Sequence, residues 1–181
     1  RKPQPATFKP ILGDLGINIC KIKTRDIQTS FKNFDKNYLI SKEIEKTPHG
    51  TSHFWVKDPY GNTFQVIESD NWFSKNTSDT GGVFGAIIGV TDIEKSIHFY
   101  KTILGYDTID WQGEGNFDDL SALNPNKHQF KRAILSHSKN RKGSFSQLLG
   151  TSQIELVQNL TENGKNIYKD RFWGDLGFIH L

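Results

Sequence analysis

The chain has 181 residues, a formal charge of +3, 35% hydrophobic residues and 12% aromatic residues. That apolar mass excludes a disordered chain, no apolar run approaches the length of about 18 residues that a spanning helix needs, and a single cysteine, Cys20, excludes an internal disulfide framework and a Cys-based zinc site. The near-balanced charge points to no nucleic-acid partner and the missing apolar run to no membrane partner. The chain opens at Arg1 and contains no methionine, so a start other than the natural one is expected.

A tetrapeptide sets the frame. Gly13-Asp14-Leu15-Gly16 recurs as Gly174-Asp175-Leu176-Gly177, an offset of 161 residues, and each copy runs into apolar residues. Residues 1–12 read as a lead-in and 13–70 as the first structural segment. In that segment Ile17 and Ile19 begin a strand, Asp26 can cap a short helix through free backbone N–H groups, and Ile27, Phe31 and Phe34 share one helical face. The stretch 51–57 alternates, with Phe54 and Val56 opposite His53, Trp55 and Lys57. Asp58-Pro59-Tyr60-Gly61-Asn62 is a turn, and a strand over 63–68 completes a hairpin.

A polar, glycine-containing linker covers 71–82. The second segment, 83–160, repeats the order. It has an apolar strand over 83–90, then Thr91-x-x-Glu94 as a capping box with Asp92 as the competing cap. Ile93, Ile97, Tyr100 and Leu104 form a helical face stopped at Gly105, and strands follow near 106–111, 130–137 and 152–158. A second linker spans 161–173, and 174–181 reads as the first strand of a truncated further module. Hairpins beside helices give an α+β fold rather than a doubly wound parallel sheet.

The run Ile87-Ile88-Gly89-Val90-Thr91-Asp92-Ile93-Glu94-Lys95-Ser96-Ile97-His98-Phe99-Tyr100, continuing to Leu104-Gly105-Tyr106, resembles the opening strand and helix of the vicinal-oxygen-chelate superfamily. Those proteins are glyoxalases, bleomycin-resistance proteins and extradiol dioxygenases. Lys57-Asp58-Pro59-Tyr60-Gly61-Asn62-Thr63-Phe64 is similar to the family's last hairpin, and Ile154-Glu155-Leu156-Val157 to its last strand. The resemblance implies repeated βαβββ modules forming cup-shaped mixed sheets with helices outside. It makes 83–160 a first-type module and 13–70 a shorter second-type one. Each is expected to pair with a module beyond the chain; direct pairing of 13–70 with 83–160 is the alternative.

The resemblance also implies metal ligands on the first and last strands of a module. Those positions fall on Ile19 and Gln65 in one segment and on Gly85 and Glu155 in the other, while the Gly-Asp-Leu-Gly repeat aligns His180 with Ile19. Ile19 and Gly85 offer no donor and Gln65 is a weak neutral one, so no metal is expected in the half containing 13–70. Glu155 and His180 fit one divalent ion (Zn, Fe, Mn or Ni). The leading expectation is a glyoxalase-like or dioxygenase-like enzyme for a small organic substrate with vicinal oxygens, in which Glu155 is catalytic and the metal acts as a Lewis acid. The alternative is a metal-free, drug-sequestering binding protein like those conferring bleomycin resistance. Gln65, Trp55 and Trp111 are candidate pocket residues, although large aromatics also build cores. Set against these, Glu155 and His180 read equally as hydrogen-bonded or solvated polar residues. His53 is expected to be cross-strand packing or solvated, His98 to be on the surface, Lys139-Asn140-Arg141-Lys142 to be a solvated loop, and Cys20 to be a buried small residue. A cytoplasmic homodimer is the expected state.

Overall fold

The computed structural model describes residues 2–73, 78–140 and 142–178. Strand β1 (Gly16–Thr24) leads into helix α1 (Ile27–Asn33), followed by β2 (Glu45–Lys46), β3 (Ser52–Lys57) and β4 (Thr63–Glu68). The order then repeats as β5 (Thr80–Gly89), α2 (Ile93–Thr102), β6 (Thr108–Gly115), β7 (Phe130–Ser136) and β8 (Gln153–Asn159), with a short helix α3 (Ser146–Leu149) before β8.

Local chemistry starts both main helices. Asp26 accepts from the backbone N–H groups of Gln28 and Thr29 at 3.0 Å each, and Asp92 accepts from that of Lys95 at 3.1 Å. Asp92 therefore takes the cap that Thr91 contested. Gly105 ends the second helical segment with a φ of 73°, a left-handed conformation that favours glycine. In the Asp58–Asn62 turn, Asp58 Oδ1 accepts from the N–H groups of Tyr60 and Asn62 at 2.8 Å each, which fixes the β3–β4 hairpin.

The eight strands form one sheet in the order β2-β3-β4-β1-β5-β8-β7-β6, curled into a half-barrel. Within each repeat the first and last strands run parallel (β1 with β4, β5 with β8), while β1 and β5 pair antiparallel at the centre. The two segments thus complete one cup together. In this structure the two segments pair directly, as in the alternative reading, with β1 between β4 and β5. Strand β5 also begins at Thr80, inside the stretch read as linker, because its first residues continue the ladder with β1 up to Thr24.

Helices cover one face of the sheet. Phe54, Val56 and Val66 pack with Ile27 under α1, and Ala133, Leu135, Ile154 and Leu156 pack with Ile93 and Ile97 under α2. Each of the larger of these side chains stabilises the fold by about 1.5–3 kcal/mol relative to exposure. Period-two alternation then sends their neighbours to the inner face.

The tetrapeptide repeat has a structural job of its own. Asp14 accepts from Ile11 N at 2.8 Å and from Lys165 N at 2.7 Å, while Asp175 accepts from Phe172 N at 2.9 Å and from Gln4 N at 2.9 Å. Leu15 N donates to Lys165 O at 2.8 Å and Leu176 N to Gln4 O at 3.0 Å. Gln4 and Lys165 are separated by the same 161 residues as the two aspartates, so each copy holds the residue nine positions ahead of the other copy. Residues 174–177 accordingly lie in turns and bends and 178 in no regular element, rather than in the strand expected there, and 179–181 fall outside the described residues.

Candidate functional site

The inner face is unusually polar for a sheet interior. Lys21 on β1, Arg132 on β7, Gln153 and Glu155 on β8, His53 on β3 and Gln65 on β4 are all buried, five of them completely and Gln153 to 6% exposure. An apolar layer of Ile19, Trp55, Ile87, Leu120, Phe130 and Val157 packs on the same side and excludes water from them.

Charges on this face are matched. Lys21 Nζ donates to Glu155 Oε2 at 2.7 Å and to Gln153 Oε1 at 2.6 Å. Arg132 donates from Nε and Nη2 to Glu155 Oε1 at 2.9 and 2.6 Å. It also forks onto Asp119, Nη1 to Oδ1 at 2.8 Å and Nη2 to Oδ2 at 2.9 Å. Two cations and two carboxylates thus form a chain, Lys21–Glu155–Arg132–Asp119, with no net charge. Burial alone would raise the Glu155 carboxyl, but the two cations hold it down at about 2. Burial pulls Lys21 below its ordinary value against the opposing pull of Glu155, and pushes Asp119 up despite its fork with Arg132.

Beside this chain lies a second group whose bonding is incomplete. Both ring nitrogens of His53 and both amide atoms of Gln65 are buried without a hydrogen-bond partner, as are Glu45 Oε2 and His49 Nδ1. Desolvation pushes the His53 imidazole down to about 3, so it is neutral at physiological pH, and its ring packs edge-on against Trp55 with centroids 4.9 Å apart.

The sequence-derived candidates separate as follows. Glu155 and Gln65 both face inward, opposite the helix-packed Ile154, Leu156 and Val66. Trp55 is fully buried core, and its indole N–H donates to the Asp119 carbonyl at 2.9 Å, holding that loop against the sheet. Trp111 meets Phe117 edge-on at 5.5 Å, and the Arg132 guanidinium lies 5.8 Å from the Trp111 ring and 4.7 Å from that of Phe117. Trp55 and Trp111 therefore support the ionic chain from the side. His53, expected to be packing or solvated, is packed: it is completely buried with its ring edge-on to Trp55. His98 is exposed on α2, and Lys139 and Lys142 are exposed in their loop. Cys20 is buried and its thiol is pushed up to about 11, which suits a packing role. His180 and Arg141 lie outside the described residues.

Sequence reasoning missed Lys21, Arg132 and Asp119. A cation midway along an otherwise apolar strand face was the available signal: Lys21 follows Ile19 by two residues, and Arg132 sits between Phe130 and Ile134. Asp119 is in a loop, and no pattern marks it.

A divalent ion does not fit Glu155. Both carboxylate oxygens are already taken by cations, and an ion on either would sit beside Lys21 and Arg132, with like charges adding in a dry interior. Among the described residues, no group of three or more His, Cys, Asp or Glu side chains is placed to hold a metal.

Neither a protein-family model nor a curated protein matches the chain. Solved structures do. A variant of glyoxalase I from Zea mays is 20% identical, with a TM-score of 0.50 over 87% of this chain and 48% of that one. Methylmalonyl-CoA epimerase from Mycobacterium tuberculosis is 10% identical, with a TM-score of 0.40 over 84% of this chain and 92% of that one. The chain spans about half the length of the maize protein. Among the described residues, no helix is long and apolar enough to cross a membrane. With two βαβββ repeats paired through their first strands into one curled sheet, the chain has the fold of the vicinal-oxygen-chelate superfamily.

Proposed function

We propose that the chain binds a small organic molecule on the inner face of its cup and does so without a metal at Glu155. The observation that carries this is the Lys21–Glu155–Arg132–Asp119 chain, in which the carboxylate expected to ligate metal is spent on two cations. The fold contributes by analogy only, since one architecture hosts many chemistries. Beside the ionic chain, the unpartnered side chains of His53 and Gln65 and the single unpartnered atoms Glu45 Oε2 and His49 Nδ1 supply hydrogen-bonding capacity that a bound molecule would use. A small molecule, rather than a nucleic acid or a membrane, is the partner in this reading, and a cytoplasmic homodimer is the state it expects.

The competing reading is a glyoxalase-like or dioxygenase-like enzyme with a divalent ion on Glu155 and His180. It requires Lys21 and Arg132 to release Glu155 first, which leaves Arg132 its fork on Asp119 but strands the buried Lys21 ammonium without a counter-charge. Incubating the purified protein with zinc, iron, manganese and nickel, desalting, and measuring metal content separates the two. Substoichiometric metal in both the wild type and Glu155→Ala is the expected result. One ion per chain in the wild type, lost in Glu155→Ala, overturns the proposal.

A further inference from the structure

We propose that Ser144, in the loop between β7 and β8, is a phosphoacceptor for a protein kinase that reads basic residues. This loop plays no part in the small-molecule reading above.

The sequence around the serine carries charge of one sign. Between Leu120 and Ile154 there is no Asp or Glu, while Lys139 and Lys142 stand five and two positions before Ser144, Arg141 stands three before it, and Phe145 follows it. Kinases choose substrates by such charge patterns, because acidic groups in their clefts favour cations at fixed steps before the acceptor and repel acids there. A kinase that reads acidic residues finds none in this run.

The structure separates Ser144 from its neighbours. Three serines flank the basic run. Ser138 is fixed, with its N–H and its Oγ both donating to Asp107, at 2.8 and 2.6 Å. Ser146 is half-buried at the start of α3, and its Oγ donates to the Gly143 carbonyl at 2.8 Å. Ser144 is exposed in the turn before α3, and no hydrogen bond among the described residues engages its hydroxyl. Lys139 and Lys142 are exposed as well, and Phe145, 69% exposed, offers an apolar side chain directly after the acceptor.

A kinase binds the acceptor stretch extended, so the turn must open. One backbone bond closes it, Ser146 N to Gly143 O at 3.1 Å, and loops with few bonds open locally at little cost. The ends stay anchored. Ser138 is held on Asp107, and Gly150 lies so close to the β4–β5 connection that a Cβ there would stand 2.7 Å from Asn71 Oδ1.

The step is a phosphoryl transfer from ATP. Ser144 Oγ bonds to the γ-phosphorus as the bond to the bridging β–γ oxygen breaks; the hydroxyl proton passes to the kinase's catalytic aspartate, and ADP leaves. The new phosphate carries a charge of about −1.5 to −2, which offsets the two exposed lysines of the loop.

Incubation of the folded chain with ATP and the catalytic subunit of cyclic-AMP-dependent protein kinase, followed by peptide mapping in a mass spectrometer, tests this. An acid-directed casein kinase is the control. The expected result is one phosphate per chain, on Ser144, from the basic-directed kinase alone. Ser144→Ala should abolish it and Ser146→Ala should leave it. Lys142→Ala should raise KM about tenfold with kcat little changed, the signature of lost substrate binding. The folded chain should react within about tenfold of the isolated peptide 138–150, since the turn has little to undo. Phosphate placed elsewhere with Ser144→Ala indifferent overturns the inference. So does modification of Ser144 by the acid-directed kinase, or a Lys142→Ala chain that reacts as well as the wild type. A folded chain left unmodified, whether or not the peptide reacts, also overturns it.

Discussion

Replacing Glu155 by Ala removes the group on which the inner face is organised. Arg132 keeps its fork on Asp119 at 2.8 and 2.9 Å, but Lys21 retains only the neutral Gln153 Oε1 at 2.6 Å. A completely buried ammonium is then left without a counter-ion. Breaking a buried ion pair from one side costs about 3–5 kcal/mol, a large share of a total stability of about 5–15 kcal/mol. For a domain of this size, roughly 2–4 °C of melting temperature accompanies each kcal/mol, so a loss of roughly 6–20 °C is expected. Urea titration at pH 7, followed by tryptophan fluorescence, measures the loss. A double-mutant cycle with Lys21→Met isolates its cause, because removing the stranded ammonium should return part of the lost stability. A Glu155→Ala cost below about 1 kcal/mol, against the 3–5 kcal/mol expected of a buried pair, refutes the reasoning. So does a Lys21→Met change that adds its own full cost instead of offsetting.

The remaining expectations concern pH and packing. His53 holds its proton only below about 3 in the folded chain, against an ordinary value of 6.5, so the unfolded chain binds a proton that the folded one refuses throughout that interval. Stability therefore falls as pH drops below 6.5, by up to about 1.4 kcal/mol per pH unit from this group. Glu155, held at about 2 against an ordinary 4.5, adds its loss only below pH 4.5. His53→Phe should make the slope of stability against pH between 6.5 and 4.5 less positive, the remainder belonging to His49, which burial also pulls down, and, in the opposite sense, to Glu45 and Asp119, which burial pushes up; an unchanged slope sinks the argument. At Gly85 a Cβ would overlap the carbonyl oxygen of Gln153 on the paired strand, so Gly85→Ala should push β8 away from β5 and cost about 3 kcal/mol. An unaltered thermal midpoint would show that the two strands have room to spare.

Much of the architecture was readable in one dimension because its causes are local. Asp26 and Asp92 cap helices with their own side chains, Asp58 bonds the N–H groups of its own turn, and alternation around Phe54, Val66, Ile154 and Leu156 assigns each strand an apolar face for the helices. The same alternation turned Gln65 and Glu155 inward before any partner was visible. Partnership between strands distant in sequence is a different matter. Whether β1 meets β5 or a strand from beyond the chain depends on which edges find each other, and nothing in either strand's pattern names its neighbour.

Glu155 shows the same division at the level of one side chain. Its place on the inner face follows from period-two geometry, but its chemistry follows from Lys21, 134 residues away, and from Arg132, 23 residues away. A carboxylate near two cations and a carboxylate near a metal have the same sequence signature, and only the sheet order decides between them. His53 and Gln65 are likewise ordinary strand residues until the curl of the sheet closes over them and removes their water. Backbone propensity, capping and face assignment were thus determined by the sequence itself, because neighbours along the chain supply them. Ion pairing, proton affinity and unmet hydrogen bonding were decided by tertiary structure, because each depends on what burial brings near and what water it takes away.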